Sequence, residues 1–139
     1  MTTLEFMRKH KGTSGKTRYC SSVMLGIDGV FYSYGYHYPL LFEVGGLWFV
    51  NDRGYSSSTS KHIGWARSLA DCSVELPPLG EFDRADLSKQ AILQLLQDQR
   101  VAQKAARDSH RIGTKIYDIE DRKLFEIDND MLRLANHIN

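Results

Sequence analysis

The chain has 139 residues, 42% of them hydrophobic and 25% charged, with a formal net charge of +1. That length and balance predict one folded domain with a real hydrophobic core and exclude a disordered chain. The small net charge excludes a global field toward nucleic acid or membrane, so electrostatic recognition has to come from local patches.

Residues 1–19 read as a basic, flexible arm, with Arg8, Lys9, Lys11, Lys16 and Arg18 against Glu5, a local +4. The arm lacks the apolar run of a secretory signal, and nothing in the chain reaches the ~20 apolar residues of a membrane span. Gly15-Lys16-Thr17 invites a nucleotide-binding assignment, but a phosphate loop needs a glycine where His10 stands, and the run that follows reads as strand rather than helix. Cys20 and Cys72 are too few for a disulfide framework, or for a zinc site without help from histidines or carboxylates. Both are expected reduced and buried, and a host-cell cytoplasm is the expected location.

Residues 20–50 are strand-like. Asp28-Gly29 and Gly45-Gly46 each sit between two β-rich runs, the signature of a tight hairpin whose turn residues need positive φ. Two hairpins predict an α+β fold with a four-stranded antiparallel meander, covered by a short and a long helix. Alternation places Tyr32, Tyr34, Tyr36 and Tyr38 on one face, and Trp48 and Trp65 are assigned to the core. Ile63, Ala66 and Ala70 recur at helical spacing over 59–71, and Pro77-Pro78 ends that run. A long helix is predicted over 83–110, capped by Asp83, with Leu87, Ala91, Leu95 and Ala102 as its core face. Beyond it, "IYDIEDRKLFEI" reads as a hairpin and the residues after Asp128 as a short helix. The acid-rich run 118–130 lacks the glycine and terminal glutamate of a calcium loop, so no metal and no cofactor are expected.

Two clusters carry candidate chemistry. Arg100, Lys104, Arg107 and Arg111 are spaced 4, 3 and 4, which puts them within an arc of about 60° on a helix. Such a stripe suits successive phosphates or an acidic protein patch, or is simply a solvated face. The second is "NDRGYSSSTSKHIGWA" at 51–66, a turn followed by a hydroxyl-rich helix start. Ser58, Thr59 or Ser60 is the expected cap, and one cap needs one hydroxyl, so Tyr55, Ser56, Ser57, Lys61 and His62 exceed that need; with Thr59 and Ser60 they suggest a partner or anion site at a helix N-terminus. His62 is the candidate base; spacing identifies no orienting acid, and Asp52 or Glu43 could serve only by approaching in space.

Tyr32-Ser33-Tyr34, followed by Asn51, Tyr55-Ser56 and Thr59-Ser60-Lys61-His62, resembles a short domain of small phage-encoded proteins of unknown function. The resemblance spans about residues 30–65 and implies a phage-type accessory protein that binds and inhibits or modulates a host complex, anti-CRISPR or other anti-defence action being one form. The expected partner is a host protein or ribonucleoprotein rather than a membrane. The alternatives are a nucleic-acid-binding protein using the basic stripe and exposed tyrosines, and a small hydrolase or nuclease centred on His62.

Overall fold

The computed structural model describes residues 1–34, 38–53, 57–77 and 87–137, without the side chains of 57 and 58. It is α+β: a six-stranded mixed sheet of order β1-β2-β3-β4-β5-β6 with four helices. The strands are β1 (Arg18–Cys20), β2 (Val23–Leu25), β3 (Phe31–Ser33), β4 (Tyr38–Val44), β5 (Leu47–Asn51) and β6 (Cys72–Val74). The helices are α1 (Thr3–His10), α2 (Ser57–Arg67), α3 (Lys89–Asp108) and α4 (Lys115–Asn136).

Both expected hairpins form, β2–β3 around Gly29 and β4–β5 around Gly45-Gly46, with all three glycines at positive φ. Asp28 does not share that conformation: the first turn is a five-residue loop, closed by the Gly26 N–H on the Val30 carbonyl, rather than the two-residue turn expected. The Asp28 carboxylate tightens the first turn by accepting from the Val30 N–H and the Tyr32 hydroxyl. A Cβ at Gly45 would lie 3.3 Å from side-chain atoms of Leu134 and Lys89, with φ at +57°. Gly45→Ala is therefore expected to cost about 1–2 kcal/mol in chemical denaturation, from the left-handed backbone alone.

The meander is longer than expected. β1 extends it at one end, and β6 joins β5 in parallel at the other through the α2 crossover. A parallel neighbour requires such a crossover, which explains why the three-residue "CSV" segment escapes a hairpin search.

The sheet is buried on both faces, not one. Alternate strand residues divide between two cores: Met24, Tyr32, Phe42, Phe49 and Val74 meet Ile92 and Leu96 of α3 and Leu134 of α4. Val23, Leu25, Phe31, Leu41 and Val50 meet Phe6 and Met7 of α1 and Ile63 and Ala66 of α2. Double burial is why "LLFEV" and "LWFV" read as continuous apolar runs. A bulge at Leu40, between the pairs Tyr32↔Pro39 and Phe31↔Leu41, puts Leu40 and Leu41 in the same core.

Three expectations give way. The N-terminal arm contains a helix, capped by the Thr2 hydroxyl and anchored by buried Phe6 and Met7. The core face of α3 is Ile92 and Leu96, with Leu87 and Leu95 packed beside it; Ala102 is exposed. The helix starts after a Ser88 cap, and the Asp83 cap lies outside the described residues. The C-terminal hairpin does not form: 115–136 is one helix, started by Thr114, whose Leu124, Ile127, Met131 and Leu134 recur at spacings of three and four. Isoleucine, tyrosine and phenylalanine gave that segment strand-like composition, but packing along α3 decides for helix.

Candidate functional site

Along α2, Thr59, His62, Ile63 and Ala66 form one stripe at helical spacing, and all four are buried. Two polar side chains therefore occupy core-facing positions and need partners inside. β3 supplies one: the Ser33 hydroxyl lies 2.6 Å from His62 Nδ1 and 3.3 Å from the Thr59 hydroxyl. Desolvation holds the His62 imidazole below its ordinary pKa, so the neutral ring is the form that fits.

The residue that follows β3 is the exception to its surroundings. Tyr34 has φ of +58°, donates its N–H to the Ser22 carbonyl at 2.8 Å, and leaves its side chain 45% exposed. Its ring centroid is 5.5 Å from that of His62, whose own centroid is 5.6 Å from that of Trp65. Tyr34, His62 and Trp65 thus make an aromatic row where β3 meets α2, with Ser60 and Lys61 exposed on the same helix.

The tyrosines expected to line one face separate. Tyr32 enters the core under α3 and α4, Tyr38 the core under α1 and α2, and Tyr36 lies outside the described residues. The Tyr38 hydroxyl donates to the Arg53 carbonyl and sits 3.0 Å from the Asn51 carbonyl, and burial raises its pKa well above the ordinary value. Buried Asn51 completes this corner: its amide donates to the Pro39 carbonyl, and its oxygen accepts from the Arg53 and Leu76 N–H groups. These bonds tie β4, the end of β5 and the segment after β6 together.

Much of the family-like motif therefore serves the fold, Thr59 and His62 by latching α2 to β3 and Asn51 by knitting three segments. Tyr55 and Ser56 lie outside the described residues, and Ser57 begins α2. No carboxylate hydrogen-bonds His62 among the described residues: Asp52 interacts with Glu75 and Arg67, and Glu43 pairs with Trp48 across β4–β5. Ser33 is only 1% exposed. A nucleophilic mechanism asks for a reachable hydroxyl and an oriented base, and this pair provides neither.

The basic stripe lies across the sheet from this row, since α3 belongs to the opposite core. It does not face solvent as a unit. Arg100 pairs with Asp128, while Arg107 pairs with Asp108 and Asp121 and lies 5.6 Å from the Tyr117 ring. α4 thereby takes up two of the four cations, and Lys104 and Arg111 stay exposed. A helix packed alongside could not be foreseen while 116–127 read as a hairpin.

The Gly15-Lys16-Thr17 segment is no phosphate loop. The Gly15 N–H bonds the Ile27 carbonyl, and Gly12, Thr13 and Ser14 line a shallow cavity with Asp28 and Glu43, the wrong charge for a phosphate. Cys72 is buried beside Asp130 and Arg133, and its thiol is pushed up to about 12, by burial first, which leaves it a poor nucleophile. Cys20 is half-buried, and both cysteines are free thiols. No helix is long and apolar enough to cross a membrane among the described residues.

Comparison of the chain with protein-family models, with curated proteins and with solved structures finds no match in any of the three.

Proposed function

We propose that the chain is a non-enzymatic binding protein that docks on a host protein or ribonucleoprotein through the aromatic row around Tyr34. This is the mode expected of a phage-type accessory protein that inhibits or modulates a host complex, anti-defence action included. The observation that carries it is Tyr34 itself. A bulky side chain in the left-handed region costs about 1–2 kcal/mol, and residues held there cluster at functional surfaces. The strain sets a half-exposed tyrosine against the His62 ring, itself set near Trp65, and tyrosine is enriched among the few interface residues that dominate binding energy.

Tyr34→Gly separates the two roles, because glycine relieves the backbone while removing the anchor. With tagged chains expressed in a host, the wild type is expected to retain a specific complex through washing. Tyr34→Gly is expected to lose about tenfold or more of that affinity while melting no lower. Equal capture by both chains would defeat the proposal.

The nucleic-acid alternative rests on exposed Lys104 and Arg111 and on the basic N-terminal segment. It requires binding that weakens steeply with salt and a shallower slope when those two residues become alanine.

A further inference from the structure

The two edges of the sheet are finished differently. At β6 and its flanks, every second residue has a backbone group met by a side chain from the helical layer. Arg133 donates to the Asp71 carbonyl at 2.6 Å, the Ser73 N–H donates to the Asp130 carboxylate at 3.1 Å, and the Gln99 amide donates to the Glu75 carbonyl. These side chains close that edge to another strand.

At β1 the parity of the ladder gives the opposite result. The Gly26 and Tyr34 N–H groups bond the Val30 and Ser22 carbonyls, so Ser22, Met24 and Gly26 direct their backbone groups to β3. Val23 and Leu25 therefore turn theirs toward Cys20 and Arg18 of β1. Tyr19, between those two, points its N–H and C=O away from the sheet, and neither finds a partner among the described residues. Its side chain is 69% exposed, because the helices that bury Met24 opposite it do not reach this far.

The charged side chains on this edge itself are basic. Lys16 and Arg18 are exposed on the edge, and Arg8 and Lys9 are exposed at the end of α1. His10 is held below its ordinary pKa by desolvation and then by Arg18 and Lys9, so strand and helix end share one positive surface.

We propose that β1 is a docking edge for an extended acidic peptide segment, which adds as a further strand with its backbone paired to Tyr19. A carboxylate stands opposite Arg18, and an apolar side chain lies against the Tyr19 ring. The charge selects this occupant over a second copy of the chain, since two copies would bring like-charged edges together. This surface is separate from the Tyr34 row and does not depend on it.

The test uses a displayed library of short random peptides selected on the intact chain. The best binder is then synthesised alongside a counterpart with lysine at each acidic position. Enrichment of sequences with a carboxylate beside an apolar residue is expected, with the lysine counterpart failing to bind. Tyr19→Pro removes the ring together with the outward N–H, a loss an edge strand tolerates, so the melt should hold while affinity falls about tenfold or more. Tyr19→Ala keeps that N–H and should lose less. On the wild type, peptide should slow amide exchange at Tyr19, a readout that stands even if the proline variant fails to fold. Selection without acidic preference, unchanged binding to a folded Tyr19→Pro chain, or no added protection at Tyr19 would each overturn the proposal. So would concentration-dependent protection of Tyr19 without peptide, which would give the edge to a second copy.

Discussion

Asn51→Ala should be among the most damaging single polar substitutions in this protein, lowering stability by about 3 kcal/mol or more. One buried side chain accepts from two backbone N–H groups and donates to a carbonyl, and alanine leaves all three without that partner. Each bond is worth about 1 kcal/mol net, and orphaned buried groups cost more than the bonds they lose. For a chain of this size the melting point should drop on the order of 10 °C. Asn51→Asp keeps the acceptor but loses the donor to Pro39, so it should fall between the two. A loss under about 1 kcal/mol for alanine would mean that water replaces the amide, and that the corner is wetter than its burial indicates.

The second large effect is expected at His62. His62→Ala removes a buried ring and leaves the Ser33 hydroxyl without its 2.6 Å partner, a loss of about 2–4 kcal/mol in urea denaturation. His62 should also give the wild type a pH signature. The unfolded imidazole titrates near about 6.5, and desolvation lowers the folded value below that. As pH falls through this region the unfolded chain takes up a proton that the folded chain refuses. Stability therefore declines with acid until the folded value is reached. Asp52 and Asp130 act with the opposite sign at lower pH. Both carboxyls are raised chiefly by burial, so there the folded chain takes up protons first and part of the loss is offset. His62→Asn keeps a polar atom near Ser33 without titrating, and its stability should be flatter than the wild type's between about pH 5 and 7. Parallel profiles for the two chains would show that the ring is not kept neutral by the fold.

The sequence exposes what is local. Gly29 and Gly45-Gly46 announce their turns because positive φ leaves few residues to choose from, and Ile63 and Ala66 announce α2 by spacing. It hides what depends on distant packing. β6 has three residues and a partner reached only through a crossover, so no local signal marks it. The Arg100 and Arg107 stripe looked solvent-facing because α4, which supplies Asp128 and Asp121, was itself read as strands. The site shows the same division. Thr59 and His62 stand out as polar residues on an apolar stripe, and that pattern alone predicts a buried partner. That the partner is Ser33, and that the backbone twists at Tyr34 to present its ring, depends on β3 packing beneath α2. Neither residue type nor spacing encodes that placement.

The sealing of β6 has a consequence for how the protein is made. The first five strands follow one another along the chain and pair with their sequence neighbours. They can assemble as soon as they emerge during synthesis. The side chains that close the edge at 71, 73 and 75 come 62, 57 and 24 positions later. Until α3 and α4 arrive, the nascent chain carries a nearly complete sheet with the β6 border raw as well as the β1 border, and with one uncovered apolar face. That interval is when it is most open to misassociation, and a pause in translation before residue 99 would lengthen it.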